Sequence, residues 1–128
     1  MIRALGLAAA VLLAGCAPVE APVTDRVTSG VCHVTVTFAS YGTGADGALR
    51  DQVLALIQDE PGVIDVQDSR WGREGESTLC VSTLGEAATD RLYDAIAAVI
   101  PATSERGPTT VEHIDGRSRA SAIPGTGR

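Results

Sequence analysis

The chain has 128 residues, with ten basic side chains against sixteen acids and a formal net charge of −6. That length holds one small domain of roughly 85 ordered residues once flexible ends are set aside, enough for a modest core. Every basic residue is arginine, and a lysine-free acidic domain is poorly suited to neutralising a run of phosphates, which argues against nucleic acid as a partner.

The chain opens with Arg3 and an apolar run from Ala4 to Ala14 that is too short to span a bilayer stably. The run ends in Leu13-Ala14-Gly15-Cys16, which resembles the lipobox of bacterial lipoproteins. The resemblance implies a cleaved signal peptide over residues 1–15 and a lipid on Cys16, the new N-terminus. It also implies attachment to the membrane through that lipid. Ala17 follows the cysteine rather than Asp, which by analogy with the usual sorting rule points to the periplasmic face of the outer membrane. Residues 16–30 hold Pro18 and Pro22 and no hydrophobic period, so they read as a tether reaching up to about 40 Å. With Cys16 assigned to lipid, two cysteines remain, Cys32 and Cys80. An oxidising compartment allows them to pair.

After the tether, Val31 to Ser40 alternates, with Val34, Val36 and Phe38 on one side and His33, Thr35 and Thr37 on the other, as in a half-exposed strand. Asp46 to Asp59 carries Leu49, Val53, Leu56 and Ile57 at helical spacing, and Pro61-Gly62 ends the helix. Strands are expected at Val63 to Trp71 and Glu76 to Thr83, joined by a turn at Gly72–Gly75. Thr83 and Glu86 have capping-box spacing, opening a second helix to Ile100 with Ala88, Leu92, Ile96 and Val99 on one face. Thr109 to Asp115 reads as a last strand. Residues 116–128, with three arginines, no acid, and Gly, Ser and Pro, read as a disordered tail.

A weak internal repeat relates the two halves. At an offset of 47 residues, Val34 matches Val81, Leu49 matches Ile96, Val53 matches Ile100, and Asp65 matches Glu112. The order βαββαβ over residues 31–115 resembles the ferredoxin-like fold, an α+β domain. The resemblance implies a four-stranded antiparallel sheet in the order 4-1-3-2, with both helices on one face. Strands 1 and 3 are then neighbours, which brings Cys32 and Cys80 to one end of the sheet. Strict alternation puts them on opposite faces, so a bulge or strand-end twist is required for the bond.

Several motifs invite chemistry. Gly42-Thr43-Gly44-Ala45-Asp46-Gly47 matches G-x-G-x-x-G between a strand and a helix. The preceding strand is half polar, and Asp46 would repel a phosphate. A flexible connection is therefore the better reading, and no cofactor is expected. His33 and His113 fall near one end of neighbouring strands and are weak candidates for a surface metal site, with plain surface histidines the simpler reading. The stretch Ser69-Arg70-Trp71-Gly72-Arg73 holds the only tryptophan between two arginines. Both residue types are enriched at interface hot spots. Arg70, Trp71 and Arg73 are therefore the candidate interaction residues.

No catalytic set is legible. The sequence points to a membrane-anchored, non-enzymatic domain that binds another envelope protein. The βαββαβ order behind a lipoprotein tether also resembles the sporulation-related (SPOR) peptidoglycan-binding domain, which implies glycan binding on the open sheet face. A small-ligand or metal sensor is a third possibility.

Overall fold

The computed structural model describes residues 30–125. The expected signal peptide, Cys16 and most of the expected tether lie outside the described residues. The elements are β1 (Val34–Phe38), α1 (Gly47–Asp59), β2 (Val63–Arg70), β3 (Ser77–Thr83), α2 (Glu86–Val99), β4 (Thr109–His113) and β5 (Ser118–Ala120). They form an α+β domain with one antiparallel sheet in the order β2-β3-β1-β4-β5.

The first four strands take the order expected for a ferredoxin-like sheet. The sheet has five strands, however, not four. The fifth comes from the segment expected to be disordered. Ser118–Ala120 pairs with Thr110–Glu112, and the chain beyond it stays tied down. Ser121 N–H donates to the Thr109 carbonyl, and the Ser121 hydroxyl accepts from Thr109 N–H at 2.9 Å. Arg119 reaches the Ile100 carbonyl at 3.1 Å. Composition pointed to disorder because these residues bury little apolar surface. They are held instead by backbone groups that β4 and the end of α2 would otherwise leave to water.

The core lies between the sheet and the two helices. Val34, Val36 and Phe38 of β1, Leu79 and Val81 of β3, and Val111 of β4 are fully buried. They meet Leu49, Val53 and Ile57 of α1 and Leu92, Tyr93 and Ile96 of α2. The period-2 and helical patterns put these residues on facing surfaces, and each large side chain contributes about 1.5–3 kcal/mol on burial. The internal repeat has a geometric counterpart. Val34 and Val81, equivalent in the two halves, are direct partners across the β1–β3 ladder at the sheet's centre.

The helix starts differ. At α1 the Asp46 carboxylate caps, accepting from Leu49 N–H at 3.1 Å. At α2 the expected capping box is absent. The N-cap is Gly85 at φ 92°, with no side-chain cap. Thr83, still in β3, shares a 2.6 Å hydroxyl contact with Thr89, so the Thr83–Glu86 spacing served a strand end rather than a cap. Gly107 is required by close approach, since a Cβ there would run into the Ala39 carbonyl.

Cys32 and Cys80 form a disulfide with Cα atoms 4.9 Å apart. The conflict of faces is resolved at the strand's start. Regular pairing begins only at Val34, and the chain bends at His33. Cys32 is thereby freed to reach Cys80 on the face away from the helices. The bond closes a separation of 48 residues, worth roughly 4 kcal/mol by loop entropy.

Candidate functional site

Two places carry unusual groupings of side chains, one at each end of the sheet. The first is where β1 begins and β4 ends. Alternation along β4 puts Thr109, Val111 and His113 on the helix side, and the His113 side chain is 3 % exposed. Its Nε2 lies 2.8 Å from Asp90 Oδ1 on α2, and its Nδ1 accepts from Asp115 N–H at 3.0 Å. Nδ1 also lies 2.9 Å from Asp115 Oδ1, so both ring nitrogens are engaged. Arg117 completes the group, donating to Asp90 at 2.7 Å and to Asp115 at 2.7 Å. It also lies 5.2 Å from the centroid of the Tyr93 ring, which meets His113 edge-on at 5.4 Å.

The electrostatics follow from these contacts. The Arg117 guanidinium, and then the His113 ring, hold the Asp90 carboxyl below its ordinary range. Asp115 is lowered first by the Arg117 backbone N–H and then by its side chain. Arg117 is raised in turn by Asp115 and Asp90. The network clamps the β4–β5 turn onto α2.

His33 sits beside this cluster. The bend that turns Cys32 toward Cys80 also carries the His33 ring off the open face. Its Nδ1 accepts from Thr83 N–H at 3.1 Å. His33 and His113 line a common cleft of about 240 Å³ with Gly85, Glu86, Thr89, Ile114 and Asp115. The expectation that the two histidines lie near one end of the sheet holds. Their description as surface groups fails for His113, because parity with Val111 buries it. Both nitrogens of His113 are engaged, and among the described residues no group of three or more His, Cys, Asp or Glu side chains is placed to hold a metal ion.

The second place is the β2–β3 hairpin at the other end. Trp71 N–H bonds the Glu76 carbonyl, continuing the β2–β3 ladder past Arg70. The Trp71 side chain therefore shares the helix-free face with Ser69, and its indole N–H donates to the Thr78 hydroxyl at 3.1 Å. It is 45 % exposed. Around it the open face presents hydroxyls, since the register puts Thr35, Thr37, Thr78 and Thr110 on that side. Of the three expected contact residues, Arg70 falls on the opposite face and Arg73 lies in the turn. Neither arginine makes an ion pair among the described residues. The arginine stacked on a ring is Arg117, over Tyr93, and no signal in the short motif pointed there.

The Gly42–Gly47 loop meets its own needs. The Ser40 hydroxyl accepts from Gly42 and Gly44 N–H at 2.9 and 3.0 Å, and Ala45 N–H donates to the Glu74 carbonyl. Three of the loop's backbone donors are therefore already used within the chain.

Asp90, Tyr93 and Arg117 were not legible as a group. The signal available for His113 was its parity with Val111. Asp90 and Tyr93, three apart on α2, share the face that β4 covers. Among the described residues no helix is long and apolar enough to cross a membrane. Comparison with protein-family models, curated proteins and solved structures finds no match to this chain.

Proposed function

We propose that this protein is a lipid-anchored envelope protein, held through Cys16 at the periplasmic face of the outer membrane. Its domain is a non-enzymatic contact module for another envelope protein. The observation that carries the contact role is Trp71. It is a large amphipathic side chain, half exposed on a face no helix covers, and its N–H is anchored to Thr78. A side chain already fixed by its neighbours loses little freedom on binding, which is what an interface anchor needs. The lipobox-like Leu13-Ala14-Gly15-Cys16 supports the address, and the Cys32–Cys80 bond suits the oxidising compartment that this address implies.

Capture from detergent-solubilised envelope, with wild type and Trp71→Ala as baits, tests the reading. A partner present with wild type and lost with the variant is expected. Identical profiles would remove the role given to Trp71. The hydroxyl-lined face beside a single indole also favours a second reading, a peptidoglycan-binding surface in which the indole stacks on a sugar ring and Thr35, Thr37 and Thr110 supply hydrogen bonds. Co-sedimentation with purified sacculi separates the two readings, because a protein-binding module stays in the supernatant.

A further inference from the structure

The sheet ends on one side at β2, whose outer edge has no strand beside it among the described residues. Its backbone phase can be fixed. Trp71 N–H points to Glu76, the residue just before β3, so Ser69 and Gln67, two and four residues back, point the same way. The N–H and C=O groups of Val66, Asp68 and Arg70 face outward from the edge. The irregularity in the ladder lies between Val63 and Asp65, which leaves Val66 to Trp71 regular. Along this edge, Ile64 and Val66 are 48 % and 37 % exposed. Arg70 makes no ion pair among the described residues, whereas Asp68, two residues away on the same side, is bound by Arg50 alone.

We propose that β2 pairs antiparallel with β2 of a second copy of this chain, about a two-fold axis at Ser69. Symmetry limits the registers. Residues directly opposed across a two-fold must lie on the same sheet face. An axis at Asp68 sets two carboxylates against each other, which is unfavourable. An axis at Gln67 leaves Arg70 opposite Ile64. An axis at Ser69 places Asp68 opposite Arg70 of the second copy, twice over, and gives each free arginine a carboxylate. The outward-facing backbone groups of these residues then form about four inter-chain hydrogen bonds. On the open face the same register sets Trp71 against Gln67 of the second copy. A mixed-charge edge repels a random strand but is complementary to itself in this one register. The pairing needs neither the lipid anchor nor an envelope partner, so its failure leaves the proposed function standing.

Cysteine cross-linking and charge exchange on the full chain test it. At the axis, Ser69 meets Ser69 of the second copy as a non-hydrogen-bonded pair, with Cα atoms about 4.5 Å apart, close enough for a disulfide. Ser69→Cys should give a covalent dimer on mild oxidation, and Gln67→Cys should not. Arg70→Glu alone and Asp68→Arg alone each put like charges across the axis and should weaken dimerisation by about tenfold in sedimentation. An equimolar mixture of the two restores opposite charges at both positions and should recover the dimer. A wild-type chain that stays monomeric, cross-linking at Gln67 instead of Ser69, or a mixture no better than either variant alone would each overturn the proposal.

Discussion

The two ends of the sheet are built to different rules. Where β1 begins and β4 ends, the chain is cross-braced. Within a few residues lie the Cys32–Cys80 bond, the His33–Thr83 contact and the buried His113 held between Asp90 and Asp115, with Arg117 closing the group. At the hairpin end, Gly72 and Gly75 turn the chain at positive φ, and Arg73 and the two neighbouring glycines stand in solvent. Trp71 is fixed by one hydrogen bond and half exposed. Polar side chains at the first end are spent on one another. At the second, Arg50 binds Asp68 and Ser77, but Arg70 and Arg73 make no ion pair among the described residues. The contrast teaches where to look for function. The end that holds both histidines has the charged groups of its cluster paired internally, and the hairpin end offers a half-exposed indole and two arginines without an ion pair among the described residues.

The largest expected effect breaks the braced end. Replacing Cys32 and Cys80 by serine should cost about 4 kcal/mol, read as a lower midpoint in denaturant unfolding. A loss below about 1 kcal/mol would show that the hydrogen bonds there hold the end without the disulfide. His113→Ala comes next. It removes a ring packed against Tyr93 and strips the Asp90 carboxylate of one donor, for an expected loss of about 2–3 kcal/mol in the same assay.

A smaller effect is specific to pH. Asp90 and Asp115 are held below the ordinary carboxylate range chiefly by Arg117. In the folded chain they therefore take up protons less readily than in the unfolded one. Their contribution is complete above the ordinary range and is lost as pH falls through the lowered values. Arg117→Ala should be less stable than wild type at neutral pH. The gap should narrow as pH falls through the lowered values, where the carboxylates become protonated in both proteins. A gap constant with pH would mean that Arg117 acts through packing on Tyr93 alone. The smallest effect on stability belongs to Trp71→Ala, within about 1 kcal/mol, because the side chain is half exposed and outside the core. The same variant should have the largest effect on partner capture. Opposite results, a strongly destabilised Trp71→Ala with unchanged capture, would erase the contrast between the ends.

Much of the fold was legible because it rests on period. Val34, Val36 and Phe38 against Thr35 and Thr37, and the helical spacing of Leu49, Val53 and Ile57, put the right faces inward. β5 was not legible. Ser118–Ala120 is polar and exposed, and its strand is held by backbone pairing to β4 rather than by burial. Alternation also fails at strand ends, where a single bend sent both Cys32 and His33 to the faces opposite those their parity assigned. The Asp90–His113–Arg117 group joins residues from α2, β4 and the turn before β5, and no local motif encodes such a meeting. Trp71 could be singled out by rarity, but its face depended on how far the β2–β3 ladder runs.

The central claim is an exported, lipid-anchored domain closed by one internal disulfide, and intact-mass measurement of the protein extracted from membranes tests it most directly. The account predicts a chain lacking residues 1–15, heavier by the acyl groups on Cys16, and two hydrogens lighter than its reduced form. A full-length chain with three free thiols would contradict it.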